Sequence, residues 1–228
     1  MNKSLFKPID PAYLRVKMVE RLIKKGYIKS DHVKKALLEV PREKFVNQAV
    51  SRAYSDKPIP IGFGQTVSAP HMVAFILEEL ELKGGLKVLE VGTGSGYHAA
   101  VTYKALEVLG GGELYTIEID ERLYRIAQKN LENLGFTLIH VVLGDGFAGL
   151  PDFSPFDRIY VTAATPEKPK PLYAQLAPQG ILIFPFGPPN QVQQLLKVRR
   201  KPDGFAEEHL MDVAFVPLKR WGERGQPP

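Results

Sequence analysis

The chain has 228 residues, with 30 Lys and Arg against 25 Asp and Glu, a formal net charge of +5. That length suits one domain with a sizeable core, and the mild charge permits an anionic partner without requiring one. There is no cysteine, which excludes disulfides, zinc–thiolate sites and cysteine nucleophiles.

No apolar run reaches the length of a membrane span, and the opening residues MNKSLFKPIDPAYL lack the apolar stretch of a signal peptide. A cytoplasmic location with no membrane partner is the expectation. Residues 10–26 begin with Asp10 as an N-cap and Pro11 at the first helical position and stop at Gly26. Residues 30–41 form a second short helix closed by Pro41. Residues 1–60 are expected to form a helical flank, 61–218 a catalytic core and 219–228 a flexible tail, all within one domain. The final GERGQPP is expected to be disordered.

Residues 62–72, GFGQTVSAPHM, gather glycines and short polar side chains ahead of an amphipathic helix, VAFILEEL. From residue 86 the pattern alternates strand and helix. Strands are expected at 87–92, 113–119, 138–146, 156–164 and 180–187, and helices at 94–110, 120–135 and 170–180. Residues 191–200 and 205–218 flank KPDG, a reverse-turn sequence, and read as an antiparallel pair. The fold class expected is a doubly wound α/β domain with a mostly parallel sheet and an antiparallel C-terminal pair, its ligand at the carboxyl ends of the strands.

Three strand ends carry candidate ligand residues. VLEVGTGSGYHAA places Gly92, Gly94 and Gly96 between strand and helix, a G-x-G-x-G spacing that lacks the third glycine of the dinucleotide fingerprint. Glu90 before the loop would repel phosphates and suits a ligand carrying an ammonium group, which S-adenosylmethionine (SAM) does. Glu118 ends the second strand and can accept from ribose hydroxyls. Asp145 can accept from an adenine amino group, with Gly146 allowing close approach. Together these three strand ends point to a SAM-dependent methyltransferase.

The five histidines, at 32, 71, 98, 140 and 209, show no ligand spacing, and no metal is expected. No obvious general base flanks the loops, which favours an acceptor that needs none, such as a carboxylate already ionised at pH 7. Ser68, Thr66 and the N–H groups at the start of the next helix could steady such an anion. Ser68 also reads as that helix's N-cap, with Pro70 near the first position. An enzyme methylating nucleic acid or a small molecule remains an alternative, as does an NAD-dependent oxidoreductase or an inactive nucleotide-binding module.

The stretches PIPIGFGQTVSAPHMVAFILEEL, VLEVGTGSGYHAA, YTIEID, LGDGFAGLP and VAFVPL, together with VPREKFV at 40–46 and AYSDKPIPI at 53–61, resemble the protein-L-isoaspartate O-methyltransferase family from about residue 12 to 218. The resemblance implies a Rossmann-like class I SAM-dependent methyltransferase. It would methylate the α-carboxyl of L-isoaspartyl residues in damaged proteins and peptides, releasing S-adenosylhomocysteine. The ester would then collapse to a succinimide whose hydrolysis partly restores aspartate. By the resemblance, Ser68 is the active-site residue. Thr66, Val67, His71, Glu90, Gly92, Thr93, Gly94, Glu118, Asp145 and Gly146 fall to the cofactor, and Val213, Ala214, Phe215, Val216 and Pro217 border the peptide. A monomer with no nucleic-acid partner is expected. Beyond Leu218 the sequence departs from the family's pattern.

Overall fold

The computed structural model describes residues 10–189 and 191–222. Asp10 caps α1 (Pro11–Lys24) by accepting from the Ala12 N–H at 2.9 Å, with Pro11 at the first position. α2 (Asp31–Glu39) follows, then a short α3 (Val50–Ala53). Their buried side chains, with those of the connecting segments, join the same apolar cluster as α4 (Pro70–Glu79) and α5 (Tyr97–Val108); Leu22, Val33, Leu37, Phe45 and Tyr54 are among them. The N-terminal flank is thus part of one continuous core.

The first strands form a hairpin that periodicity does not announce: β1 (Ile59–Gly62) pairs antiparallel with β2 (Gln65–Val67). Gly62, Phe63 and Gly64 at its tip all have positive φ, and the Arg122 guanidinium lies 3.9 Å from the centre of the Phe63 ring. The main sheet comprises β3 (Lys87–Val91), β4 (Glu113–Glu118), β5 (Ile139–Leu143), β6 (Phe156–Val161), β7 (Leu176–Phe186), β8 (Gln193–Lys201) and β9 (Gly204–Val213). Its spatial order is β5-β4-β3-β6-β7-β8-β9. The pairs β4–β5, β3–β4, β3–β6 and β6–β7 are parallel, whereas β7–β8 and β8–β9 are antiparallel, as expected.

Alternation along each strand divides the core between the two faces. Val88, Leu114, Tyr160, Ile181 and Ile183 join the cluster under the helical flank. Leu89, Val91, Ile117, Ile159, Val161, Leu182 and Phe184 join a second cluster that includes Leu172 of α7 (Lys170–Ala174). α6 (Glu121–Asn133) is capped by Asp120 and buries Leu123, Ala127 and Leu131 at four-residue spacing.

Two boundaries differ from expectation. The helix read through residue 180 stops at Ala174, because β7 begins at Leu176, which pairs with Phe156 of β6. The last strand, read to 218, ends at Val213, and Pro217 forms an isolated bridge with Ala164. The expected disorder of the C-terminal residues falls outside the described residues from 223 onward. Strand order reverses about β3, which sets the carboxyl ends of β3, β4 and β6 around one crevice.

Candidate active site

The loop after β3 turns on three glycines, Gly92, Gly94 and Gly96, at φ 94°, 57° and 88°, a region side chains avoid. A Cβ on Gly92 would also collide with Thr162 Oγ1, which itself donates to the Gly92 carbonyl at 2.7 Å. The loop, β4 and the residues after β6 therefore close on one another through backbone.

At the end of β4 the Glu118 carboxylate accepts from the Gly94 N–H at 2.8 Å and from the Ile119 and Asp120 N–H groups at 3.0 Å. Burial raises its pKa despite those donors. Asp120 is held below the usual range, chiefly by the Arg122 side chain that pairs with it.

Glu90 departs from the expectation placed on it. It is fully buried and does not line the crevice. Its Oε2 accepts from Thr116 Oγ1 at 2.6 Å, and Thr116 in turn meets Thr93 Oγ1 at 2.6 Å. Burial pushes the carboxyl up to about 8. At neutral pH it is a protonated acid packed behind the loop, so it is not the exposed anion that an ammonium group would seek. His98, also buried, is pushed down to about 3 by burial and then by the Arg42 charge. It is a neutral ring whose centre lies 4.6 Å from that of Tyr160.

On the opposite wall, the β1–β2 hairpin delivers Gln65 to Ser68. Ala69, with no side-chain bond, is the N-cap of α4, and Pro70 is its first residue. Ser68 is therefore not the cap, and its half-buried hydroxyl makes no hydrogen bond among the described residues. His71 Nδ1 lies 2.8 Å from Asp56 Oδ1, which also accepts the His71 N–H at 3.0 Å. Burial raises Asp56, but these bonds outweigh it and leave the carboxyl below its usual value.

Two cavities meet here. The first, about 740 Å³ and open to solvent, is lined by Gln65 to Ser68, the glycine loop with Tyr97 and His98, Ile117 to Asp120, Gly146 and Val216 to Lys219. The second, about 720 Å³ and also open, lies between Pro58, Ala69, His71 and Met72 on one side and Met211 to Val216 on the other. Thr66, Ser68, Thr162 and Val216 line both, so these four form the neck between them. None of the four is a titrating base. The Val213–Pro217 segment is tied down at several points. Val216 O and Leu218 N bond Ala164 at 2.8 Å each, and the buried Gln193 side chain accepts from Phe215 N at 2.7 Å.

Most predicted residues converge. Thr66, Val67, Ser68, Gly92, Thr93, Gly94, Glu118 and Gly146 line the first cavity, and Val213 to Val216 the second, with Pro217 on the first. His71 faces the second cavity, not the cofactor side assigned to it, because it lies in the first turn of α4, beyond the neck. The Asp145 carboxylate lies outside the lining. It accepts from Phe147 N at 2.9 Å and from Trp221 N at 3.2 Å, and the Arg220 guanidinium lies 3.3 Å from the Phe147 ring centre. Lys219 to Trp221 thus reach back to the rim, where a flexible tail was expected. Thr162, Tyr97, His98 and Lys219 are lining residues that sequence reasoning missed. The only signal for Thr162 is its place at the end of the fourth parallel strand, a position where ligands gather.

A family model described as protein-L-isoaspartate(D-aspartate) O-methyltransferase matches residues 14–222. A protein-L-isoaspartate O-methyltransferase of Methanothermobacter thermautotrophicus is 49% identical over 90% of this chain and 94% of its own. One of Pyrococcus horikoshii is 47% identical over 91% and 92%. A solved protein-L-isoaspartate O-methyltransferase superposes with TM-score 0.81 at 32% identity, covering 90% of this chain and 66% of that one. A Plasmodium falciparum structure in complex with S-adenosyl-L-homocysteine superposes with TM-score 0.78 at 28% identity, covering 89% and 97%. With a match that spans the helical flank, the glycine loop and the β1–β2 hairpin alike, the chain belongs to the protein-L-isoaspartate(D-aspartate) O-methyltransferase family.

Proposed function

We propose that the neck of Thr66, Ser68, Thr162 and Val216 is where a methyl passes from SAM, in the first cavity, to the α-carboxyl of an L-isoaspartyl residue, in the second. The observation that carries this reading is the neck itself: two cavities joined through hydroxyls and backbone, with no titrating base among its four residues.

The first cavity's residues fit such a cofactor. Ser95 Oγ and both His98 ring nitrogens are buried among its lining residues without hydrogen-bond partners among the described residues, which leaves them for polar ligand groups. His98 is neutral and does not oppose a cation. Glu118 stands where ribose hydroxyls would come, and Gly146 where the adenine ring would press against backbone. Gly146 admits no side chain, since a Cβ would collide with Val91 Cγ1. The bound cofactor supplies an electrophilic methyl on a positively charged sulfur.

The residues around the neck do the rest. An isoaspartyl carboxylate is ionised at pH 7 and needs no proton removed. The Ser68 hydroxyl, free of other bonds among the described residues, orients it by one neutral hydrogen bond without quenching its charge. Thr162 holds the loop by its bond to Gly92 O, which fixes the donor side. Holding two reactants in line can supply most of the acceleration. The tethered Val213–Pro217 segment offers backbone to an extended peptide, which reads main chain and tolerates many neighbouring side chains. Gly146 lines the adenine end, with the Asp145 carboxylate next to it at the rim.

The test pairs an isoaspartyl peptide with its aspartyl twin. Labelled methyl from SAM should enter only the first, as a base-labile ester that releases methanol. Equal labelling of both, or a base-stable product, would reject the assignment.

A further inference from the structure

We propose that Arg42 is a positioning residue for methyl transfer, holding the acceptor segment in register with the cofactor loop. The inference rests on the methyl-transfer reading of the neck.

Arg42 sits in a single turn of 3-10 helix, Arg42–Lys44, after α2, and its side chain is fully buried. No carboxylate lies within ion-pair distance of it among the described residues. Burying a guanidinium without a counter-ion is costly, and replacing such a charge by apolar packing often stabilises a protein. Stability is therefore a poor reason for its presence, and its contacts suggest another.

The guanidinium touches three separate segments. Nε donates to the carbonyl of Ala53, the last residue of α3, at 2.9 Å. Nη2 donates to the carbonyl of Ser68 at 2.7 Å. Its central carbon lies 4.6 Å from the centre of the Tyr97 ring, which opens α5 directly after the glycine loop. Ser68 belongs to the neck, and Tyr97 lines the donor cavity. One rigid side chain thus joins the acceptor segment to the helix that carries the cofactor loop. The planar fork is well shaped for this role. Two donors reach two carbonyls while the face packs on a ring, an arrangement that a lysine ammonium cannot reproduce.

In-line transfer is sensitive to such alignment, because a misplacement of about 1 Å can cost on the order of 100-fold in rate. Arg42 acts on the Ser68 backbone, so its benefit should run through the Ser68 hydroxyl that this backbone aims. A purely structural arginine would instead lower cofactor affinity and stability together, whatever stood at position 68.

The experiment is a double-mutant cycle on the full chain. Arg42→Lys, Ser68→Ala and the double variant are compared with wild type for kcat and KM on an isoaspartyl peptide, and for S-adenosylhomocysteine affinity by calorimetry. Arg42→Lys keeps the charge, and assays are run below its melting temperature. Arg42→Gln, which removes the buried charge, serves as a second variant. The expected result is a drop in kcat of about 10- to 100-fold for Arg42→Lys, with the dissociation constant for S-adenosylhomocysteine within about twofold and the cost shrinking to less than about threefold in the Ser68→Ala background. An undiminished cost in that background, an unchanged kcat, or a parallel loss of S-adenosylhomocysteine affinity would overturn the proposal. A wild-type enzyme inactive on the isoaspartyl peptide would instead remove the functional reading beneath it.

Discussion

Replacing Glu90 by Gln puts the electrostatics behind the cofactor loop to a quantitative test. The carboxyl is fully buried, accepts one hydrogen bond from Thr116, leaves Oε1 without a partner among the described residues, and is displaced by burial from 4.5 to about 8. The folded protein then holds a proton that the unfolded chain has already released, throughout the window from about pH 4.5 to about pH 8. Stability falls as pH rises wherever the folded state binds more protons. The contribution is whole below the unfolded pKa and gone above the folded one. At about 1.4 kcal/mol per pH unit, the full window amounts to about 5 kcal/mol, and about 3 kcal/mol is lost by pH 7. Gln keeps the shape and cannot ionise, so it escapes this loss. Urea unfolding of both proteins at intervals from pH 5 to pH 9, with equal m-values, should show the variant's relative stability climbing to about pH 8 and then levelling. A difference that stays flat across that range would mean Glu90 titrates normally, and the account of a neutral acid behind the loop would fall.

Ser68→Ala should lower kcat on the isoaspartyl peptide by roughly tenfold, the worth of one oriented hydrogen bond, with S-adenosylhomocysteine affinity nearly unchanged by calorimetry. Equal losses in both would make Ser68 a structural residue. Gly92→Ala should all but abolish cofactor binding, since it sets a side chain at φ 94° against Thr162 Oγ1. Wild-type affinity in a folded variant would refute the tight turn as the cofactor's seat. Asp145→Ala should weaken S-adenosylhomocysteine about tenfold with little change in saturated turnover, as expected for an adenine contact remote from the neck.

The parts of this molecule that are legible in the sequence are those governed by near neighbours along the chain. Asp10 and Asp120 are caps because a short carboxylate beside a helical run has few other uses. Gly92, Gly94 and Gly96 mark a loop because their conformations admit little else. The rest depends on contacts between distant segments. Arg42 meets Ser68 across 26 residues, and Thr162 meets Gly92 across 70, and neither partnership leaves a local pattern. Glu90 defies its local reading because a carboxylate is charged by default, whereas complete burial neutralises it. At Leu176 a helix-compatible stretch yields to pairing with β6, a case of tertiary contacts overriding propensity.

Residues 219–221 bear on the end of the cleft where the nucleoside is proposed to sit. Trp221's amide hydrogen rests on Asp145, and Arg220 covers Phe147 nearby. A purine amino group drawing on Asp145, as proposed above, would share that carboxylate with Trp221, since a carboxylate oxygen can accept more than one hydrogen bond. Cofactor exchange would then be sensitive to a few residues that take no part in bond making. Variation there would change how quickly the enzyme reloads while leaving the transfer step alone.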